Sequence, residues 1–182
     1  MRHFFGFTHD PFSSDIKIED IYHTAALEGM KERFLYAVNL GAVSVVTGDV
    51  GSGKSTALRY ASSFLHPSQY QLVSVVASTG SVVEILKQIS MGLDIEWNSI
   101  SLAKLLRTIR GAVMEIGKRK QIPVIIIDEA SLLRIEVFAQ LHTIGQFDMD
   151  VEFFVASPAN TPRHTLRYGG RDNGGVQEYQ DL

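Results

Sequence analysis

The chain has 182 residues, 45% of them hydrophobic and none of them cysteine, enough for one buried core and exclusive of disulfides, thiolate chemistry and cysteine-bound zinc. Its net charge of −3 excludes the overall basic excess of a protein whose main task is gripping nucleic acid, so any such contact must be local. The N-terminal text lacks a signal-peptide core and no apolar run approaches the roughly 20 residues of a membrane helix, so a soluble, cytoplasmic protein is expected.

Residues 1–22 are aromatic-rich and interrupted by Pro11, which predicts an extended arm seating Phe4, Phe5, Phe7 and Phe12 on an apolar surface. Thr24 is an N-cap candidate for a helix with Leu27, Met30, Phe34 and Val38 on one face, ending at Gly41. "VSVV" (43–46) reads as a buried strand, followed by a glycine loop and a helix running to Pro67. "QLVSVVA" (71–77) predicts a second strand, with helices from about Ser81 and over Ser99 to Arg119. "IPVIIIDEA" (122–130) predicts a third strand, a helix spans roughly 131–145, and "VEFFVAS" (151–157) predicts a fourth strand stopping before Pro158. Strands alternating with helices give an α/β fold, a parallel sheet covered on both faces, with the core over 23–157. Residues 158–182 hold four glycines and no apolar period, and are expected to be irregular or disordered.

The loop "GDVGSGKST" fits G-x-x-x-x-G-K-[ST], a match expected by chance in roughly one chain in a hundred of this length. The pattern needs glycines because backbone amides must turn inward onto phosphate oxygens, while the following helix adds its positive dipole end. Gly48, Asp49, Val50, Gly51, Ser52, Gly53, Lys54, Ser55 and Thr56 are therefore the candidate nucleotide-binding residues. Lys54 would reach the β- and γ-phosphates of ATP, and the Ser55 hydroxyl would ligate Mg²⁺. "VIIIDE" would deliver Asp128 to the sheet edge as the second Mg²⁺ ligand, with Glu129 placed to polarise a water for attack on the γ-phosphate. About seventy residues, including a full strand and two helices, separate Lys54 from Asp128. That arrangement, with a glutamate beside the aspartate, resembles the ATP-hydrolysing P-loop proteins of the AAA+ type, which implies ATP hydrolysis and argues against small-molecule kinases and GTPases. A nucleotide-binding module with little or no hydrolysis is the alternative.

"FFGFTHDPFS", "ALEGMKERFLYAV", "VVTGDVGSGKSTALR" and "VIIIDEA" together resemble the AAA+ ATPases known as general secretion pathway protein A. The same pattern is similar to the ATP-binding partners of transposases in the transposition protein B group. The resemblance covers roughly residues 4–150. It implies a P-loop three-layer sandwich that forms homo-oligomers around nucleotide and acts on a transposase or a secretion component. It also implies a polar sensor at the end of the strand after the acid pair, where Ser157 is the nearest match. The family continues with a fifth strand and a helical lid, neither of which is legible after Pro158. The expectation is a truncated or frame-shifted ATPase with impaired activity, its "VSVV" strand at an unprotected sheet edge.

Lys104, Arg107, Arg110, Lys118, Arg119 and Lys120 crowd one helix and its exit with Glu115 the lone acid among them. A solvated helix face is the simpler reading, and a weak DNA contact through Lys118, Arg119 and Lys120 the functional one. The six histidines show no metal-ligand spacing. Trp97 reads as a loop anchor.

Overall fold

The computed structural model describes residues 4, 6, 16–40, 44–77, 81–96, 101–134, 137, 141, 152–158 and 177–179. Their elements, in chain order, are α1 (Ala25–Leu40), β1 (Ser44–Gly48), α2 (Lys54–Ser62), β2 (Tyr70–Val76) and α3 (Val82–Gly92). There follow α4 (Leu102–Lys118), β3 (Ile122–Asp128), β4 (Glu152–Pro158) and β5 (Gln177–Tyr179), with short 3₁₀ turns at Ile18–Asp20 and Ala130–Leu132. The strands form one sheet in the order β2-β3-β4-β1-β5, and every pairing is parallel.

β3 sets the layering. Successive side chains of a strand point to opposite faces, and here Val124 and Ile126 enter one apolar cluster while Ile125 and Ile127 enter another. The first cluster is closed by α1 and α2, through Leu27, Met30 and Phe34 and through Ala57, Leu58 and Ala61. The second is closed by α3 and α4, through Ile85, Leu86 and Ile89 and through Leu105, Ile109 and Val113. β1 divides in the same way, Val45 to the second cluster and Val46 to the first. Each fully buried aliphatic side chain contributes about 1.5–3 kcal/mol, so both helical layers are needed to make a run of four such residues favourable.

Local expectations hold in part. Thr24 caps α1, its Oγ1 accepting from the Leu27 amide at 3.1 Å. The helix expected over roughly 131–145 does not start at 131, where Ala130–Leu132 form a 3₁₀ turn and Leu133 is extended; Val137 and Leu141 further on are buried. Trp97, Phe5, Phe7 and Phe12 lie outside the described residues. Phe4 does not seat on an apolar surface; it is 85% exposed. The arm is instead anchored by Ile21, buried, with Ile16 and Ile18 packed on the α1–α2 cluster and the Ile16 carbonyl accepting from Arg59 of α2.

The main correction concerns β5. The sheet has a fifth strand, Gln177–Tyr179, which pairs Ser44–Val46 of β1, so β1 lies between β4 and β5 and not at an edge. The sequence hides it because three residues joined by backbone hydrogen bonds need no apolar period, and a strand reading asks for 4 to 8 patterned residues. β4 also runs through Pro158 instead of stopping before it.

The outer strand β2 keeps an apolar side toward α3, with Val73 and Val75 buried, while Leu72 and Val76 on its other side are exposed. Its outward-facing Val76 amide donates to Gln88 Oε1 of α3 at 3.2 Å.

α1 and α2 are joined by a polar knot. Glu28 accepts from Lys31 Nζ and from Tyr60 Oη at 2.6 Å, and lies 3.0 Å from His23 Nδ1. The Lys31 hydrogen bond, then those of Tyr60 and His23, hold the Glu28 carboxyl down at about 2 from an ordinary 4.5. The same contacts push Lys31 and Tyr60 upward. A carboxyl lowered on folding contributes stability above its unfolded value and loses it as pH falls toward the folded one. Thermal melts from pH 7 down to pH 3 should therefore show a falling midpoint below about 4.5, and Glu28→Gln should be less stable at pH 7 and flatter across that window.

Candidate functional site

Because every strand is parallel, β1 and β3 end at the same sheet edge, where ligands of open α/β sheets bind. The loop leaving β1 is a tight backbone turn. Gly51 and Gly53 have φ of +83° and +88°, a region that costs an L-residue with a side chain about 1–2 kcal/mol. The Ser52 amide donates to the Asp49 carbonyl at 3.1 Å, and the Gly53 carbonyl accepts the Ala57 amide at 2.8 Å to start α2. Gly48 is required for a different reason. A Cβ there would stand 2.9 Å from Ser52 Oγ, itself buried without a hydrogen-bond partner. The loop thus encloses the hydroxyl of Ser52, one of the residues expected to line the nucleotide site.

Lys54, the first residue of α2, is half-buried, and its Nζ donates to the carbonyls of Gly48 at 3.0 Å and Asp49 at 2.8 Å. The ammonium therefore lies across the loop. Ser55 and Thr56 follow in the first helical turn, whose amides have no intrahelical acceptor and whose dipole end is positive. Asp49 and Val50 form the exposed tip, Val50 being 90% exposed.

The acid pair sits two strands away. Asp128 closes β3, its carbonyl accepting from the Ala77 amide at 2.9 Å and its Oδ1 from the Glu129 amide at 2.8 Å. Glu129 has φ 55° and ψ 34°, left-handed without being glycine, and is exposed. β4 pairs Ile127 with Val155, and Val155 with Val45, so Asp128, one residue further on, stands level with Val46, two residues before Gly48 closes β1, across two strand spacings, about 10 Å. On β4 between them, Ser157 is the register partner of Thr47, a buried threonine just before the loop that sequence reading had passed over.

The oxygens available here are the Ser55 hydroxyl and the Asp128 carboxylate. Among the described residues no cluster of three His, Asp or Glu could cage a metal. That donor set suits Mg²⁺, which binds through one or two protein oxygens and takes its other ligands from water and phosphate. Lys118, Arg119 and Lys120 are not part of this site. They are exposed at the end of α4, beside the start of β3 and therefore at the opposite edge of the sheet. No described helix is long and apolar enough to cross a membrane.

A glycine loop and lysine between a buried strand and its helix, on a parallel sheet whose third strand ends in an acid pair, define a P-loop three-layer α/β protein. The AAA domain family matches residues 39–160, and the chain belongs to it. Comparison with curated proteins yields no match. Among solved structures the chain is similar to Cdc6p from Pyrobaculum aerophilum, with a TM-score of 0.65 at 14% identity over 86% of this chain and 43% of that one. It is also similar to the Aeropyrum pernix Orc1 protein solved in complex with DNA, with a TM-score of 0.59 at 15% identity over 73% of this chain and 39% of that one. The Orc2 protein of the same organism, solved with ADPNP and ADP, gives 0.56 at 16% identity over 77% of this chain and 41% of that one. The chain thus spans less than half the length of these three, and the likeness is one of fold.

The backbone angles predict two opposite stability changes in urea unfolding. Gly53→Ala should lose about 1–2 kcal/mol, whereas Glu129→Gly, relieved of left-handed strain and offset by unfolded-state entropy, should gain up to about 1 kcal/mol.

Proposed function

We propose that the chain is an ATP-binding and ATP-hydrolysing AAA+ protein that acts on a partner. The observation that carries this reading is the placement of the Lys54 loop and the Asp128–Glu129 pair on one sheet edge with β4 between them. The similar Orc2 protein, solved with ADPNP and ADP, supports the nucleotide half of the reading.

The amides of residues 53–56 and the α2 dipole bind the phosphates of ATP, and Lys54 exchanges its two loop carbonyls for phosphate oxygens. Mg²⁺ held by Ser55 and Asp128 would supply positive charge against the β- and γ-phosphates. Hydrogen bonding from the Glu129 amide keeps the Asp128 carboxylate oriented toward the edge. Glu129 accepts the proton of a water that adds to the γ-phosphorus as the bond to the β–γ bridging oxygen breaks, giving ADP and phosphate. The left-handed backbone at Glu129 turns the chain sharply after β3 and so sets where that carboxylate emerges. Ser157, in the row between the two halves, is the candidate sensor of the γ-phosphate. The partner is a transposase or a secretion component, and assembly is a nucleotide-dependent homo-oligomer. Both follow from the sequence resemblance.

Titration with a fluorescent ATP analogue and a phosphate-release assay separate the roles. Lys54→Ala should abolish Mg-ATP binding, and Glu129→Gln should retain binding while losing turnover by 100-fold or so, the usual scale for a lost general base. Turnover by Glu129→Gln equal to that of the parent would remove the assigned base. Binding without turnover in the parent would favour the non-hydrolysing module.

A further inference from the structure

The outer face of α4 is unlike the rest of the molecule in charge. Residues 104–120 hold six cations against the single acid Glu115, a net +5, so the remaining residues carry −8 within a chain of −3. Lys104, Arg107, Arg110, Lys118, Arg119 and Lys120 are all exposed, opposite the buried stripe of Leu105, Ile109, Val113 and Ile116. Lys118 is 2.6 Å from Glu115, whose carboxyl it holds below the usual range, so these two charges offset one another and the net +5 rests on the other five cations.

Gly111 and Gly117 of this helix are exposed helical positions where glycine is a poorer helix former than alanine. A Cβ at either would meet nothing within 4 Å, so among the described residues neither glycine admits another part of this chain. The helix ends with Lys120 in the left-handed position, φ 60°, its amide donating to the Gly117 carbonyl at 2.9 Å. The Gln121 amide in turn donates to the Ile116 carbonyl at 3.3 Å, so this is the usual closing turn of a helix, in which a left-handed residue is expected. Cationic side chains and side-chain-free helix surface share the exposed strip of the helix. From Lys104 to Lys118 it spans about 21 Å.

We propose that this strip is a docking surface for the phosphate backbone of duplex DNA, on the opposite side of α4 from the core and with its densest charge at the sheet edge away from the phosphate loop. The lysines and arginines neutralise phosphates, and the glycines let the sugar–phosphate chain approach the helix backbone. No base readout is built in, so binding is sequence-tolerant. A membrane surface fits less well, because the apolar face of α4 is spent on the core and only Met114, half-exposed, remains to enter a bilayer.

The test is fluorescence anisotropy of the full chain with a labelled 30-base-pair duplex, repeated with single-stranded DNA, duplex RNA and phosphatidylserine vesicles. The expected result is duplex binding whose log affinity falls with log salt with a slope of about −3 to −5, and a slope shallower by about 2 to 3 in the Lys118/Arg119/Lys120 triple alanine variant. Gly111→Gln should raise the thermal midpoint, as a better helix former, and yet weaken duplex binding several-fold. Mg-ATP binding should be unchanged in both variants, which separates this surface from the nucleotide site. Salt-independent duplex binding, parent-like binding by both variants, tighter binding of single strands or RNA, or binding to vesicles alone would overturn the proposal.

Discussion

A run of four apolar residues, Val124 to Ile127, leaves water completely only when both faces of its strand are covered. That requirement organises the molecule. It makes β3 an interior strand, calls for α1 and α2 on one side and α3 and α4 on the other, and fixes the sheet as parallel because each strand is reached by a crossover. The same strand ends in Asp128, so the core that stabilises the fold also carries a carboxylate to the sheet edge. Packing and chemistry are consecutive in the chain, with no spacer between Ile127 and Asp128.

The edge itself is built from backbone held in uncommon conformations. Gly51 and Gly53 adopt left-handed angles without a side-chain penalty, while Glu129 adopts one with it. The carboxylate of Asp128 takes the amide that this turn exposes. Strain at Glu129 is sustained by the two-sided burial of the strand immediately before it. Stability in the sheet and cost at its rim are therefore one arrangement, as is common where a site is pre-shaped.

Much of this was legible in the sequence because it is carried by period or by local chemistry. The Thr24 cap, the buried stripe of α4 and the β3 run follow from side-chain spacing, and the phosphate loop from glycine positions that few other structures require. The features that escaped are those without a periodic signature. β5 joins the sheet through main-chain pairing of three residues, and its text "QEY" has no pattern to detect. Phe4 is apolar yet exposed, since composition alone does not say which surface is near. In the α1–α2 knot, the Glu28–Lys31 spacing of one helical turn was readable, but Tyr60 and His23 reach Glu28 through the tertiary fold. Thr47 was overlooked because its importance rests on register, which is a property of the sheet and not of the segment.

The Gln88 side chain on the Val76 amide has a consequence for the nascent chain. Gln88 follows Val76 by twelve residues, so the last outward amide of β2 is taken soon after it leaves the ribosome, and an incoming strand would have to evict that partner to pair there. The β5 side of β1 closes on a different clock. Its partner at Gln177–Tyr179 is synthesised about 130 residues after Ser44–Val46, so that side stays open until those residues emerge. The two flanks of one sheet thus differ in when they are sealed, and misassembly during synthesis is directed to the flank that waits.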